Sequence, residues 1–354
     1  MNILVAMSGG VDSSVAAKLL CDAGNRCIGC TMKLYDNADA GIDRAHTCCS
    51  LDDVEDARSV AHRLGMDYFV FNFSEDFREK VIDKFVASYL AGRTPNPCID
   101  CNRFMKFDKL FSRADVLSCE KIATGHYARI GFENGKYTLK KAVDETKDQS
   151  YVLYAMTQAQ LSRTLFPLGE LEKSETRRIA DAAGFINADK PDSQDICFVP
   201  DGDYAKIIEL HTGRQTPKGN FIDKDGKVLG QHAGIIRYTI GQHRGLGIDT
   251  PGKRYVCALS AADNTVTLGE AADLLKSDAV VTDFNWISGE APTAPIRCKA
   301  KLRYRQTEQP ATVTPRADGS VHIHFDAPQR AVTPGQAAVL YDGDTVLGGG
   351  TVAD

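Results

Sequence analysis

Two kinds of residue in this sequence can do chemistry: glycines and small hydroxyls near the start, and three cysteines in polar, proline-bearing loops. Ser8-Gly9-Gly10-Val11-Asp12-Ser13-Ser14 follows directly on the apolar run Ile3-Leu4-Val5-Ala6-Met7 and precedes an apolar set at Val15, Ala16, Leu19 and Leu20. That succession reads as strand, tight turn and helix. Glycines let the backbone approach an anion closely, hydroxyls add donors, and a helix N-terminus contributes oriented N–H groups, so the turn is a phosphate cradle. No Gly-Lys-Ser or Gly-Lys-Thr follows the glycines, which separates it from the lysine-bearing loop of ordinary nucleoside triphosphatases.

The cysteines divide by surroundings. In Arg93-Thr94-Pro95-Asn96-Pro97-Cys98-Ile99-Asp100-Cys101-Asn102, two prolines hold a short non-helical segment ahead of a helix expected to begin near Asn102. A thiolate at such a terminus is stabilised by the helix dipole. Lys190-Pro191-Asp192-Ser193-Gln194-Asp195-Ile196-Cys197-Phe198 is a second polar loop carrying one cysteine. Cys21, Cys27, Cys30, Cys119, Cys257 and Cys298 are expected instead to be buried apolar thiols.

The elements that position these groups follow from periodicity. Strands are expected at 26–32, 67–73 and 121–124 after the opening one, alternating with helices that start near Ser50 and Ser74; this is a doubly wound parallel α/β domain with ligands at the C-terminal ends of its strands. Residues 33–49 read as a mobile loop. Asn134-Gly135 marks an appended hairpin, and helices are expected at 149–165 and 174–183. Beyond residue 202, glycine, proline and period-two patterns recur at 255–259, 265–268, 321–325 and 337–340, which predicts two small mainly-β domains. The expected division is 1–204, 205–275 and 276–354.

At 354 residues, 43% hydrophobic and 25% charged, the composition is that of a soluble protein. No apolar run approaches a membrane span and no leader pattern is evident, so a cytoplasmic location is expected. Eleven cysteines are too few for a disulfide scaffold in such a chain. The net charge of −5 argues weakly against a polyanionic partner. However, Arg297, Lys299, Lys301, Arg303 and Arg305 alternate with apolar or aromatic residues, and a strand there would present five cations on one face. Taken alone this reads first as the solvated face of a half-buried strand, although five like charges repel and a phosphate backbone would relieve the repulsion.

The S-G-G-x-D-S loop resembles the pyrophosphate-binding loop of the ATP pyrophosphatases. With it stand G-R-T-P-N-P at 92–97, C-N at 101–102, A-T-G-H-Y at 123–127, K-D-Q-S-Y at 147–151, L-F-P-L-G-E-L at 165–171, D-I-C-F at 195–198 and T-I-G-Q-H-R-G-L-G at 239–247. Together these resemble the tRNA-specific 2-thiouridylases over essentially the whole chain. The resemblance implies ATP with Mg²⁺ at Ala6, Met7, Ser8, Gly9, Gly10, Val11, Asp12, Ser13, Met32 and Gly125, and transfer of AMP to the 2-oxygen of a wobble uridine. It implies a persulfide on Cys197, a disulfide-forming partner in Cys101, and a sulfur-relay or cysteine-desulfurase-type donor. It places tRNA contacts at Asn96, Pro97, Cys98, His126, Lys147, Asp148, Gln149, Tyr304, Arg305 and Gln336. One position departs from the pattern: many family members carry Asp, proposed as a base, where this chain has Cys98, and Asp100 has the wrong spacing to replace it. Cys98, Cys101 and Cys197 could alternatively hold a [4Fe-4S] cluster, or a zinc ion that would silence them. The competing readings are an ATP pyrophosphatase that amidates or thiolates a small molecule and a nucleic-acid-binding module with a degenerate nucleotide site.

Overall fold

The computed structural model describes residues 1–35, 51–191, 196–199, 201–249 and 252–353. Most of the expected loop 33–49, and Asp192 to Asp195 in the second cysteine loop, lie outside the described residues.

The first strands are β1 (Asn2–Ala6), β2 (Arg26–Lys33), β3 (Asp67–Asn72) and β4 (Lys121–Ala123); after the hairpin of β5 (Ala128–Glu133) and β6 (Lys136–Lys141) comes β7 (Thr164–Leu165). Five of them form a parallel sheet ordered β3-β2-β1-β4-β7. The chain leaves β1 in one direction toward β2 and β3, and β4 and β7 continue on its other side. β1 and β4 therefore flank the switch point where a ligand crevice opens beyond the strand ends. Ile3, Leu4 and Val5 are fully buried, as expected of a central strand covered on both faces.

The expected helix at 149–165 is corrected. It breaks into a 3₁₀ turn at Ser150–Leu153, a short helix at Gln158–Ser162 and the edge strand β7. Thr157 starts a new helix through a reciprocal capping box with Gln160, which interrupts what periodicity alone reads as continuous.

The central unit is a four-stranded sheet built from β8 (Gly219–Ile222), β9 (Val228–His232), β10 (Tyr255–Ser260) and β11 (Thr265–Gly269) in the order β10-β11-β8-β9, preceded by the helix Tyr204–Thr212. The last unit has β12 (Leu275–Trp286), β13 (Ile296–Lys301), β14 (Gln309–Pro315), β15 (Val321–Arg330), β16 (Ala337–Asp342) and β17 (Thr345–Val352). Pairing of β12 with both β15 and β17 closes these six into a barrel. The β5–β6 hairpin turns on Asn134 and Gly135, both at positive φ. It also pairs along β17, so the first domain lends two strands to the barrel's sheet.

The basic strand is corrected too. It ends at Lys301, because the Gln306 side chain accepts the Leu302 N–H and folds 302–306 into a turn. Five cations therefore do not share one strand face.

Candidate functional site

The loop after β1 is shaped by close approaches. Gly9 has φ +76°, and a Cβ there would lie 2.3 Å from the Asp53 carbonyl oxygen, so only glycine fits. Gly10 begins the helix Val11–Asp22 with no side-chain cap, which leaves the first-turn N–H groups to an incoming anion. Ser13 Oγ accepts the Ser8 N–H at 3.1 Å and donates to the Gly10 carbonyl at 3.0 Å, bracing the turn from inside. Gly125, just beyond β4, comes so near the same helix terminus that a Cβ would lie 2.7 Å from the Ser13 nitrogen. Met7 is buried, with its carbonyl taken by Thr31 Oγ1 at 2.6 Å, while Met32 is half-buried toward the end of β2. The expected nucleotide residues are thus gathered at the switch point.

Residues distant in sequence complete this pocket. Asp12 Oδ1 accepts from Lys173 Nζ at 2.6 Å and lies 2.9 Å from the Tyr127 hydroxyl, which is also 2.9 Å from Thr176 Oγ1. Lys173 is 8% exposed. A buried ammonium thus stands beside a loop that has no Gly-Lys-Ser lysine of its own. Asn187 donates to the Gly9 carbonyl and to Ser14 Oγ, each at 2.9 Å, and Lys190 Nζ lies 2.5 Å from Asp53 and 2.8 Å from Asp56. No local motif signals Lys173, Asn187 or Lys190, because their roles are created by tertiary packing.

The cysteine loop is corrected in register. The helix begins at Pro97, not near Asn102, because Asn96 caps it by accepting the Cys98 N–H at 3.2 Å and proline occupies the first turn. Cys98 is therefore the thiol at the N-terminus, exposed, and half-buried Cys101 stands one turn further in, where a π-helical stretch, Cys101–Lys109, opens. Asp100 is buried against Lys84 at 2.6 Å, and its burial raises its proton affinity; it is a structural ion pair. Cys197 is half-buried. Its carbonyl accepts from Tyr35 Oη at 2.6 Å, beyond the end of β2, and Phe198 anchors the turn between Phe77 and Phe85. Burial pushes up the thiols of Cys21, Cys30, Cys119 and Cys257, and those of Cys27 and Cys298 to about 12, as suits packing groups. Among the described residues no three His, Cys, Asp or Glu side chains gather as a metal-holding group.

The expected RNA-facing residues fall into two sets. Tyr304 and Arg305 are exposed on the turn after β13. The Tyr304 hydroxyl donates to the Asp148 carbonyl at 3.1 Å, which joins the turn to the 147–151 segment. Lys301 lies over the rings of Tyr151 and Tyr304, and burial lowers its proton affinity. In the other set the side chains are already engaged within the protein. Asp148 accepts from Ser150 Oγ at 2.7 Å, Gln149 accepts the Tyr127 N–H at 2.9 Å, and Gln336 donates to the Thr94 carbonyl at 2.7 Å. His126 is 6% exposed, between Phe107, Phe166 and Lys106; burial first and the neighbouring ammonium second hold its pKa well below the usual histidine value.

Gln336 shows how the units meet. Thr94 donates its N–H to the Pro334 carbonyl of the barrel and lies 3.4 Å from Thr239 of the central unit, while Gly92 passes Leu259. The segment that presents Cys98 and Cys101 is therefore held at the junction of all three units. Arg303 bolts the same junction: its guanidinium donates to the carbonyls of Ile240 and Ala331 and to Thr333 Oγ1.

Comparison with known proteins adds a name to this arrangement. Residues 1–201 match the model of the tRNA methyl transferase HUP domain, 206–270 that of the tRNA methyl transferase PRC-barrel domain and 276–352 that of the aminomethyltransferase β-barrel domain. The tRNA-specific 2-thiouridylase MnmA of Symbiobacterium thermophilum is 48% identical over 99% of this chain and 91% of its own length. Those of Clostridioides difficile and Clostridium acetobutylicum are each 47% identical over 99% of this chain, covering 97% and 99% of their own lengths. With all three units matched and identity near one half from end to end, the chain belongs to the tRNA-specific 2-thiouridylase family.

Proposed function

We propose that this protein makes 2-thiouridine at the wobble position of tRNA at the expense of ATP. The observation that carries the reading is the junction itself. The loop bearing Cys98 and Cys101 is fastened between barrel and central unit, within the domain whose switch point carries a phosphate cradle. A small-molecule ATP pyrophosphatase needs neither the cysteines nor the barrel, and methyl transfer, which the domain names mention, has no use for a pyrophosphate-gripping loop.

The triphosphate lies on Ala6 to Ser13, with Met32 and Gly125 lining the nucleotide. Asp12 would hold the Mg²⁺ that accompanies ATP, and that ion would shield the charge of the phosphates. Lys173 offers the leaving pyrophosphate a desolvated cation. The uridine 2-oxygen attacks the α-phosphorus, pyrophosphate leaves, and the oxygen becomes part of an adenylate that departs readily as AMP. The terminal sulfur of a Cys197 persulfide adds to carbon 2 and AMP is expelled. The Cys101 thiolate then attacks Cys197 Sγ, closing a Cys101–Cys197 disulfide and leaving the terminal sulfur on the base; an external thiol returns both cysteines to the reduced state. The persulfide is loaded by a sulfur-relay or cysteine-desulfurase-type protein. We assign tRNA to the face that carries Lys147, Tyr304 and Arg305 beside Asn96, Pro97 and Cys98. Asp148, Gln149, His126 and Gln336 hold that face in shape. The working division is 1–204 for adenylation and thiolation, 205–275 as a central unit and 276–354 for tRNA.

Pyrophosphate release tests this reading. It is expected only when unmodified tRNA with a wobble uridine accompanies Mg-ATP, and release of equal rate without tRNA would return the protein to small-molecule chemistry.

A further inference from the structure

T-I-G-Q-H-R-G-L-G at 239–247 plays no part in the chemistry above, yet its first half is held firmly. Gln242 Oε1 accepts the Thr239 N–H at 3.1 Å, and Gln242 Nε2 donates to the Arg244 carbonyl at 3.0 Å. Backbone bonds from Gly241 to Val256 and from Val256 to Gln242 tie the turn to β10. Gly241 has φ +91°, and a Cβ there would lie 3.0 Å from that of Ala331, at the end of β15. Ile240, Tyr255, Leu274 and Ala331 form a small buried cluster of their own, so the central unit and the barrel share a packed seam here.

Cations gather at this seam. Around the Tyr255 ring stand the Arg330 guanidinium at 4.8 Å, the Lys253 ammonium at 5.4 Å and the His243 imidazole at 5.5 Å. Arg244 follows His243 in the chain, and Arg244, Lys253 and Arg330 are all exposed. Among the described residues no carboxylate pairs with any of these three, whereas the neighbouring Arg254 faces Glu270 at 3.9 Å. Desolvation first, then the charges of Lys253, Arg244 and Arg330, hold the His243 pKa below its usual value, so the three cations act on one spot. In a chain of net charge −5, such a concentration of unneutralised positive charge calls for an anionic partner.

We infer that this seam is a second RNA-binding patch, on which Arg244, Lys253 and Arg330 take backbone phosphates of the tRNA away from its target uridine; the inference rests on the reading proposed above. Continuity favours RNA over an acidic protein. Thr239, at the start of the turn, lies 3.4 Å from Thr94 of the cysteine-bearing segment, and Arg303, two residues before Arg305, donates to the Ile240 carbonyl. The seam is therefore joined directly to both segments that present the proposed tRNA face. Phosphate contacts of this kind position a nucleic acid without reading its sequence, so the patch adds affinity and register and takes no part in the reaction.

The test compares full-length protein carrying Arg244→Gln, Lys253→Gln and Arg330→Gln together with the unaltered protein, by anisotropy titration of unmodified tRNA over a range of KCl. The triple variant is expected to bind tRNA at least about tenfold more weakly at low salt and to lose about 2 to 3 from the log–log salt slope, with an unchanged Tm. A single-stranded oligonucleotide of the anticodon loop should bind both proteins equally. In the thiolation assay KM for tRNA rises while kcat stays within about twofold, since none of the three cations reaches a reacting atom. Arg244→Gln and Arg330→Gln singly, each expected to remove about 0.7–0.9 from the slope, keep the question open to measurement should the triple variant fail to fold. Equal slopes and affinities for variant and unaltered protein overturn the inference, and so does a loss as large for the oligonucleotide as for whole tRNA. If tRNA affinity is kept and thiolation falls only when a carrier protein delivers the persulfide, the patch belongs to an acidic sulfur donor and the RNA assignment is wrong. Absence of tRNA-dependent pyrophosphate release from the unaltered protein counts against thiouridylase activity instead, and the slope comparison, which needs no catalysis, still decides the patch.

Discussion

Asp12 illustrates how much one side chain is asked to do. Its carboxylate stands at the phosphate loop, yet it also pairs with a nearly buried lysine and meets the Tyr127 hydroxyl. Asp12→Ala would therefore strip Lys173 of its counter-charge and destabilise the site as well as disarm it. Asp12→Asn separates the two effects, because it keeps a hydrogen-bond acceptor of the same shape. We expect it to slow tRNA-dependent pyrophosphate release by roughly 10²–10³-fold while tRNA affinity is retained; a parallel loss of tRNA binding would contradict the assignment. His126 makes a second residue-scale prediction. It is neutral when folded, held so by burial and by Lys106, whereas in the unfolded chain it takes up a proton near pH 6.5. The unfolded state then binds more protons below that pH, so stability is full above about pH 6.5 and falls on acidification at up to about 1.4 kcal/mol per pH unit. Urea unfolding at pH 7.5 and 5.5 should show a pH-dependent loss that is reduced in His126→Gln; equal losses would mean that the histidine does not titrate as its burial requires.

At the scale of elements, local signals were legible and tertiary ones were not. Gly9, Gly10 and Ser13 act through their own backbone turn, so the loop could be read directly from seven consecutive residues. Lys173 and Lys190 reach that loop across 161 and 181 residues of chain, and no window of sequence contains both ends. The cysteine helix starts earlier than the sequence predicts because Asn96 and Pro97, which read as part of a non-helical segment, together form a cap and first turn. The alternation from Arg297 to Arg305 reads as a strand because period two is unbroken. Gln306, which ends the strand, lies just outside that run. This correction changes what the cations should do. Arg303→Ala leaves the carbonyls of Ile240 and Ala331 without their donor, and we expect a loss of about 1–3 kcal/mol of stability, seen as a lower Tm. Arg305→Ala removes an exposed cation. Its Tm should stay unchanged, while the salt dependence of tRNA binding drops by about 0.9 in log–log slope if the arginine meets a duplex phosphate. Anisotropy titrations over a range of KCl together with thermal melts distinguish the two, and an unaltered slope for Arg305→Ala would place that turn away from RNA.

Across the whole molecule, one buried cluster runs from Leu4 in the parallel sheet through Phe85 and Phe198 to Val256 in the central unit and Tyr341 in the barrel. A core shared in this way ties the units together, and the β5–β6 hairpin and the Arg303 bolt reinforce it. In the proposed reading this one body carries both halves of the chemistry, adenylation at the switch point and sulfur transfer on Cys101 and Cys197. Among the described residues no helix is long and apolar enough to cross a membrane. The central claim is that Cys197 passes sulfur to an ATP-activated uridine in tRNA with Cys101 as its resolving partner. Nucleoside mass spectrometry after incubating the protein with unmodified tRNA, Mg-ATP and a persulfide source measures it most directly. The account predicts 2-thiouridine at the wobble position that requires ATP and disappears in both Cys197→Ser and Cys101→Ser, with tRNA-dependent pyrophosphate release surviving in each; 2-thiouridine formed at an undiminished rate by Cys197→Ser would contradict it.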